Sequence, residues 1–137
     1  MIVNAVKIMV CAFLFVTFGL VGCANNPITI TDAKIATGIN EKLMPISVTD
    51  AFPSGTKTVF CWFQWKGAQI GTKITAGWYF ITDDIHVLDY EFVIPRKEGF
   101  GSVSLSMPEE KTLPAGSYKV DLLVNTRKLK SLTFKVE

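Results

Sequence analysis

Few side chains in this sequence have the types and spacing that catalysis requires. Nucleophilic catalysis by serine or cysteine usually depends on a neighbouring base, and the one histidine, His86, lies in a strand-like run away from any nucleophile motif. A zinc site needs several histidine and cysteine ligands, more than one histidine and one spare cysteine provide. The sequence therefore predicts no enzyme activity, no metal site and no bound cofactor.

Two pairs of carboxylates are the remaining chemical candidates. Asp83 and Asp84 are adjacent at a predicted turn, where acids are normally solvated. Asp89 and Glu91 fall on the same face of a predicted strand, as the two acids of a glycoside-cleaving site would. Two acids on the outer face of a strand are far commoner, so we interpret them as solvent-facing. The chain also contains no glycine-rich phosphate loop and no oxyanion motif.

Residues 1–22 have the layout of a secretory signal peptide. Lys7 lies in a short leading segment, and an apolar run from Ile8 to Val21 follows it. The run is short and weakly flanked for a membrane span, and small residues follow it, as at a cleavage site. The alternative interpretation is a permanent transmembrane helix.

The residues Leu20-Val21-Gly22-Cys23 at the end of this run resemble the lipobox of bacterial lipoproteins. The resemblance implies cleavage before Cys23, lipidation of its thiol with palmitate-like chains, and acylation of the new amino terminus. Several acyl chains together give stable anchoring in a membrane. Residues 23–27 would then be an acylated tether, and Ala24 in place of Asp implies the periplasmic face of the outer membrane in a Gram-negative host. The alternative is an ordinary signal peptide with an incidental cysteine.

Composition indicates one folded domain after the tether, over residues 28–137. The 137-residue chain is 49% hydrophobic and 19% charged, which is too apolar for a disordered chain. Its 14 basic and 12 acidic side chains argue against a nucleic-acid-binding protein, which normally carries a strong basic excess. With Cys11 in the signal peptide and Cys23 lipidated, Cys61 has no intrachain disulfide partner. Its apolar surroundings predict a buried, inert thiol, with a reactive thiol as the alternative.

Short strand-like runs separated by Gly, Pro, Asn and Asp fill the domain. We predict strands over 28–35, 45–49, 58–65, 74–82, 86–94, 102–107, 118–124 and 132–136, with turns at 52–55 and 125–128. The alternation in Ser102–Met107 is complete, since three apolar side chains face one way and three serines the other. Strands of this length and spacing favour an all-β antiparallel sandwich of about seven strands.

The segment from Leu113 to Tyr118, LPAGSY, resembles the corner of immunoglobulin-like and fibronectin-like sandwiches. There a tyrosine at the start of strand F bonds back to nearby backbone. The resemblance implies that Trp78 is the core tryptophan and that Cys61 stands where antibody domains place one disulfide cysteine. Val120 stands where the second would be, so the antibody-type bridge is absent.

Two predicted strands carry apolar side chains on both faces. If Cys61 and Trp78 point inward, then Phe60, Trp62, Tyr79 and Ile81 point outward. Exposure of such a cluster would be unusual for a monomer, and three explanations remain open. Residues 28–50 cover the cluster, another envelope protein docks on it, or its rings stack against a sugar.

These observations together predict a lipid-anchored cell-envelope protein with an immunoglobulin-like domain. Its expected role is that of a non-catalytic interaction or accessory module that binds another envelope protein. A glycan- or peptidoglycan-binding module is the alternative, and an enzyme the least favoured.

Overall fold

The structure is a computed structural model that describes residues 27–137. The predicted signal peptide and the predicted lipidation site, Cys23, lie outside these residues. The described chain forms nine strands: β1 Thr29–Ile39, β2 Pro45–Val48, β3 Ala51–Phe52, β4 Thr58–Lys66, β5 Lys73–Phe80, β6 Ile85–Val93, β7 Gly99–Ser106, β8 Gly116–Val124 and β9 Arg127–Val136. Within residues 27–137, no helix has the length and apolarity required to cross a bilayer.

The strands form two sheets, one in the order β2-β1-β4-β7 and the other in the order β3-β9-β8-β5-β6. The chain passes from the four-stranded to the five-stranded sheet between Val48 and Ala51, where β3 pairs in parallel with β9. Every other neighbouring pair is antiparallel. The predicted all-β, immunoglobulin-like sandwich is confirmed. It has nine strands rather than about seven, and β3 is the strand that the pattern of the sequence did not predict.

The core lies between the sheets and follows the predicted alternation. The inward residues of β4 and β5 are all buried: Val59, Cys61, Phe63, Trp65, Ile74, Ala76, Trp78 and Phe80. Trp78 has no exposed surface, and its ring lies 6.2 Å from that of Phe134. Its indole N–H has no hydrogen-bond partner within residues 27–137, so what these residues provide to Trp78 is packing.

Two predicted turns are misplaced. The connection from β8 to β9 needs only Asn125 and Thr126, with φ of 49° and 69°, the positive pair that a type I′ hairpin requires. This tight turn lets β9 begin at Arg127 rather than at Leu132. Phe52, predicted to begin a turn, belongs to β3, where it is buried with its ring 5.7 Å from that of Phe134.

Gly101 allows the two sheets to pack closely where β7 faces β6. The ring of Phe92 on β6 lies 5.2 Å from Phe63 and 5.6 Å from Trp65. A Cβ on Gly101 of β7 would stand 2.6 Å from the Phe92 ring. Because glycine has no Cβ, β7 approaches close enough for Phe92 to pack on the core of the opposite sheet.

The sandwich has two ends, which we call proximal and distal. The proximal end contains the start of the described chain, the loops 67–72 and 94–98, and the 125–126 hairpin. Lys66 pairs with Thr29 there, the Ala68 N–H donates to the Lys97 carbonyl at 2.9 Å, and Arg127 Nη2 donates to the Ile28 carbonyl at 3.5 Å. The distal end contains the connections 40–44, 53–57, 81–84 and 107–115.

Candidate interaction surfaces

The Tyr118 corner holds the start of β8 against the preceding loop. The buried Tyr118 hydroxyl donates to the Pro114 carbonyl at 2.5 Å, the backward bond that the corner prediction requires. Burial also raises the pKa of Tyr118. Gly116 has a φ of 147°, and a Cβ there would lie 2.6 Å from the Phe80 ring, so glycine is needed at this turn. These contacts give the corner a structural role.

Cys61 is fully enclosed in the core. It has no exposed surface, and burial raises the pKa of its thiol to about 12. Reactivity belongs to the thiolate rather than the thiol. The geometry therefore supports the interpretation of Cys61 as an inert apolar residue.

The predicted cluster of Phe60, Trp62, Tyr79 and Ile81 is not brought together. β4 and β5 belong to different sheets, so their outward side chains point away from each other across the sandwich. Phe60 and Trp62 face outward from the four-stranded sheet. Tyr79 faces outward from the five-stranded sheet, and Ile81 follows β5 directly. The expectation of one shared surface was wrong, because alternation fixes the face of a strand but not the sheet that the strand joins.

The Trp62 side chain is covered by the chain itself, as one of the three explanations predicts for this residue. It faces outward, yet only 3% of the residue is exposed. Its indole N–H donates to the Leu43 carbonyl in the β1–β2 connection at 2.9 Å. Phe100 lies beside it with ring centroids 6.0 Å apart, and the Lys34 ammonium lies 5.8 Å from its ring. Trp62 therefore presents no open ring face for a sugar.

Tyr79 lies in a polar cluster on the other outer face. Its ring stacks on His86 at 4.7 Å, and the Lys119 ammonium lies 4.8 Å from it. His86 Nε2 is 2.8 Å from Asp89 Oδ1, whereas Glu91 pairs with Lys73 at 3.6 Å. Asp89 and Glu91 thus each have their own partner, and neither is arranged as an acid–base pair around a substrate.

No metal-binding cluster exists in the part of the chain that the structure describes. No three His, Cys, Asp or Glu side chains between residues 27 and 137 lie close enough to hold an ion. Asp83 and Asp84 are both exposed at the distal turn after β5.

Strand β6 is the most exposed long strand, a feature that the pattern of the sequence did not predict. It ends the five-stranded sheet, so one side of its backbone has no strand partner within residues 27–137. Eight of its nine residues are exposed, including five large apolar ones: Ile85, Val87, Leu88, Tyr90 and Val93. Ile85, Leu88 and Tyr90 stand opposite the inward-facing Phe80, Trp78 and Ala76. They point toward the interior, but the facing sheet does not cover them.

Beside this edge, an apolar cleft opens between the two sheets toward the distal end. Its volume is about 180 Å³, and its lining includes Phe80, Ile85, Val87, Leu105, Met107 and Tyr118. No polar atom contributes to its lining surface. Val87 is the extra residue of a bulge, since Leu88 and His86 pair with consecutive residues of β5. The one sequence signal for this site was the run of apolar residues on both faces of β6, which fits poorly with a strand covered on one side.

The fold and these surfaces define an immunoglobulin-like β-sandwich without a recognisable catalytic centre in its described residues. An immunoglobulin-like protein from Pseudomonas aeruginosa has a similar structure, with a TM-score of 0.59 and 17% identity over 83% of this chain and 99% of that one. At this identity the similarity establishes the fold alone. No protein-family model matches the sequence, and comparison with curated proteins finds no significant match.

Two further solved structures are more distant. One is an alkylpurine DNA glycosylase from Pseudomonas fluorescens bound to DNA, with a TM-score of 0.49 and 13% identity over 80% of this chain, matched over 30% of its own length. The other is a Niemann-Pick type C2 protein from the Japanese carpenter ant, with a TM-score of 0.44 and 13% identity over 84% of this chain and 96% of that one.

Proposed function

We propose that this protein is a lipid-anchored, non-catalytic module of the cell envelope that binds an extended segment of another envelope protein along β6. The observation that carries the proposal is the nine-residue free edge of β6 beside an apolar cleft. The anchor is the acylated Cys23 of the lipobox-like signal. The domain supplies recognition, and the acyl chains supply location at the membrane.

Strand addition fits the chemistry of this edge. A free strand edge offers unpaired N–H and C=O groups, which an incoming strand satisfies by extending the sheet. Long apolar edges without such a partner are liabilities that proteins usually blunt with charge or proline. β6 has no lysine, arginine or proline. It does carry two acids, Asp89 and Glu91, both paired with neighbouring side chains, and a bulge at Val87. Alternate side chains of the incoming strand would enter the apolar cleft, so the expected partner is an extended segment with apolar residues at every second position.

The other three sheet edges are less suited to strand addition. β2 and β3 are only four and two residues long. β7 has eight residues, but it directs Ser102, Ser104 and Ser106 outward. The glycan alternative requires the rings of Trp62 and Tyr79 to share one sugar-binding surface, and these two side chains stand on opposite faces of the sandwich.

The test is site-specific crosslinking of the acylated protein in cells. A photoreactive phenylalanine analogue at Tyr90 on β6 should capture one protein, and the same analogue at Phe100 on the opposite sheet should not. A synthetic peptide of the captured segment should then bind the purified protein. Capture at both positions alike, or no capture at Tyr90, would refute the β6 site.

Paired variants separate loss of the edge from loss of the fold. Ile85→Lys with Val87→Lys places two charges at the cleft and should abolish peptide binding. Ile46→Lys with Val48→Lys makes the same change at two exposed aliphatic residues of β2 and should leave binding intact. Equal binding by both pairs, with both proteins folded, would contradict the proposal.

A further inference from the structure

The two ends of the sandwich differ in charge. The proximal end carries basic side chains on its loop 94–98 and on the adjoining strand ends: Lys66, Lys73, Arg96, Lys97, Arg127 and Lys128. Three acids lie among them: Glu98 in the same loop, and Glu91 and Asp121 beside two of the lysines. The distal connections carry Glu41, Asp83, Asp84, Glu109 and Glu110 against three lysines. The near-neutral whole chain thus has a basic end and an acidic end.

Four of the proximal basic side chains have no acidic partner. Lys73 pairs with Glu91, and Lys128 lies 3.5 Å from Asp121. Within residues 27–137, no carboxylate lies within salt-bridge distance of the other four: Lys66, Arg96, Lys97 and Arg127. All four are exposed. Their charge is therefore available to an anionic surface.

The most exposed large apolar residue lies at the same end. Ile70, in the loop between β4 and β5, is 74% exposed. Its loop is tied to the basic loop 94–98, since Gly71 N–H donates to the Ile94 carbonyl at 2.9 Å. An exposed apolar side chain among basic ones suits the boundary between lipid headgroups and acyl chains.

The length of the tether places this end next to the membrane. Pro27 is four residues from Cys23, a separation of at most about 14 Å even when fully extended. Arg127 contacts the carbonyl of Ile28, so the basic end surrounds the point where the tether enters the domain. Interactions between charges persist over about 8 Å at physiological ionic strength. The anchor thus brings these side chains within reach of headgroup phosphates.

From this arrangement we infer that the proximal end docks on the anionic phospholipid surface in which the protein is anchored, with Lys66, Arg96, Lys97 and Arg127 facing headgroup phosphates and Ile70 at the lipid boundary. The inference rests on the lipid anchor of the proposed function. It adds an orientation: the sandwich stands on its proximal end and directs its acidic distal end away from the membrane.

Hydrogen exchange of the acylated protein in lipid nanodiscs tests this orientation. Discs that contain phosphatidylglycerol should slow exchange in loops 67–72 and 94–98 relative to discs of phosphatidylcholine alone. High salt should remove the difference, since the attraction is screened. Loop 107–115 at the distal end should exchange equally in both discs. Protection of that loop instead, or equal exchange of the proximal loops in both discs, would overturn the inference.

Matched variants assign the effect to the basic side chains. Each basic residue near an anionic membrane changes the binding equilibrium constant by about fivefold. Lys97→Gln with Arg127→Gln should therefore lower the equilibrium constant for docking by about 25-fold. Lys42→Gln with Lys111→Gln removes the same charge from the distal end and should leave the equilibrium constant for docking unchanged. Equal effects of the two pairs would refute the role of the proximal end.

The same samples distinguish failure of the inference from failure of the anchor. Mass spectrometry of the protein shows whether Cys23 carries lipid. A protein without lipid overturns both the anchor and the docking inference. If the protein is lipidated but its proximal loops exchange equally with and without anionic lipid, the docking inference alone is overturned.

Discussion

Replacing Tyr118 with phenylalanine should lower the free energy of unfolding by about 1 kcal/mol, the typical net contribution of one hydrogen bond. The change removes the hydroxyl that donates to the Pro114 carbonyl and keeps the ring. That ring packs 5.0 Å from Phe134 and 4.7 Å from Phe80. The loss therefore reports on the hydrogen bond rather than on the packing.

Urea unfolding followed by tryptophan fluorescence measures this loss, because all three tryptophans are buried. With a slope of about 1–3 kcal/mol/M for a small protein, the midpoint should fall by about 0.3–1 M. The thermal midpoint should fall by about 4 °C for a domain of this size. An unchanged slope would show that the unfolded state is unaltered.

Tyr90→Phe is the matched control for this measurement. It removes the same hydroxyl from a side chain on β6 that is 51% exposed and makes no hydrogen bond to residues 27–137. Its midpoint should equal that of the unchanged protein. If Tyr118→Phe and Tyr90→Phe unfold at the same urea concentration, the corner bond does not stabilise the domain and the reasoning is wrong.

Three further changes have defined outcomes. Cys23→Ser should leave an uncleaved or soluble protein without metabolic palmitate label; an acylated membrane form would contradict the lipoprotein prediction. Cys61 should resist iodoacetamide until the domain unfolds. Because its pKa is raised to about 12, the unfolded thiol ionises first. The free energy of unfolding should therefore fall above about pH 9, with this thiol contributing up to about 1.4 kcal/mol per pH unit. Cys61→Ala should lack the thiol's contribution and keep that of Tyr118, whose pKa is also raised by burial. Gly101→Ala forces a Cβ to within 2.6 Å of Phe92 and should cost about 1–3 kcal/mol. Gly38→Ala, whose nearest contact would be 3.9 Å away, is the control, and equal unfolding curves would exclude the clash.

The sequence predicted the features that depend on local pattern. Alternation along β4 and β5 predicted their inward-facing residues, and the segment before Tyr118 predicted the corner. Both depend on residues close together in the chain: the corner bond spans four residues, and the two-residue alternation is a property of any strand.

The features that carry the proposed function depend on pairing between distant segments. The position of β6 at an edge follows from the order of strands in its sheet, which no single strand encodes. The same limit explains why Trp62 and Tyr79 were wrongly placed on one surface. Each was correctly assigned to an outer face, but the sequence does not show that β4 and β5 belong to different sheets. The covering of Trp62 by the Leu43 carbonyl is likewise a contact over 19 residues.

The two proposals constrain each other through the direction of β6. This strand runs from Ile85 at the distal end to Val93 at the proximal end, a length of about 26 Å at the usual rise per residue. If the proximal end stands on the membrane, the apolar cleft beside Ile85 and Val87 lies well beyond the reach of the lipid headgroups. The apolar lining of the cleft then cannot contact the membrane and is accessible to a protein segment in the surrounding compartment. If a photoreactive group at Tyr90 captured lipid rather than protein, the upright orientation would be contradicted, and the domain would have to lie on the membrane with its β6 side.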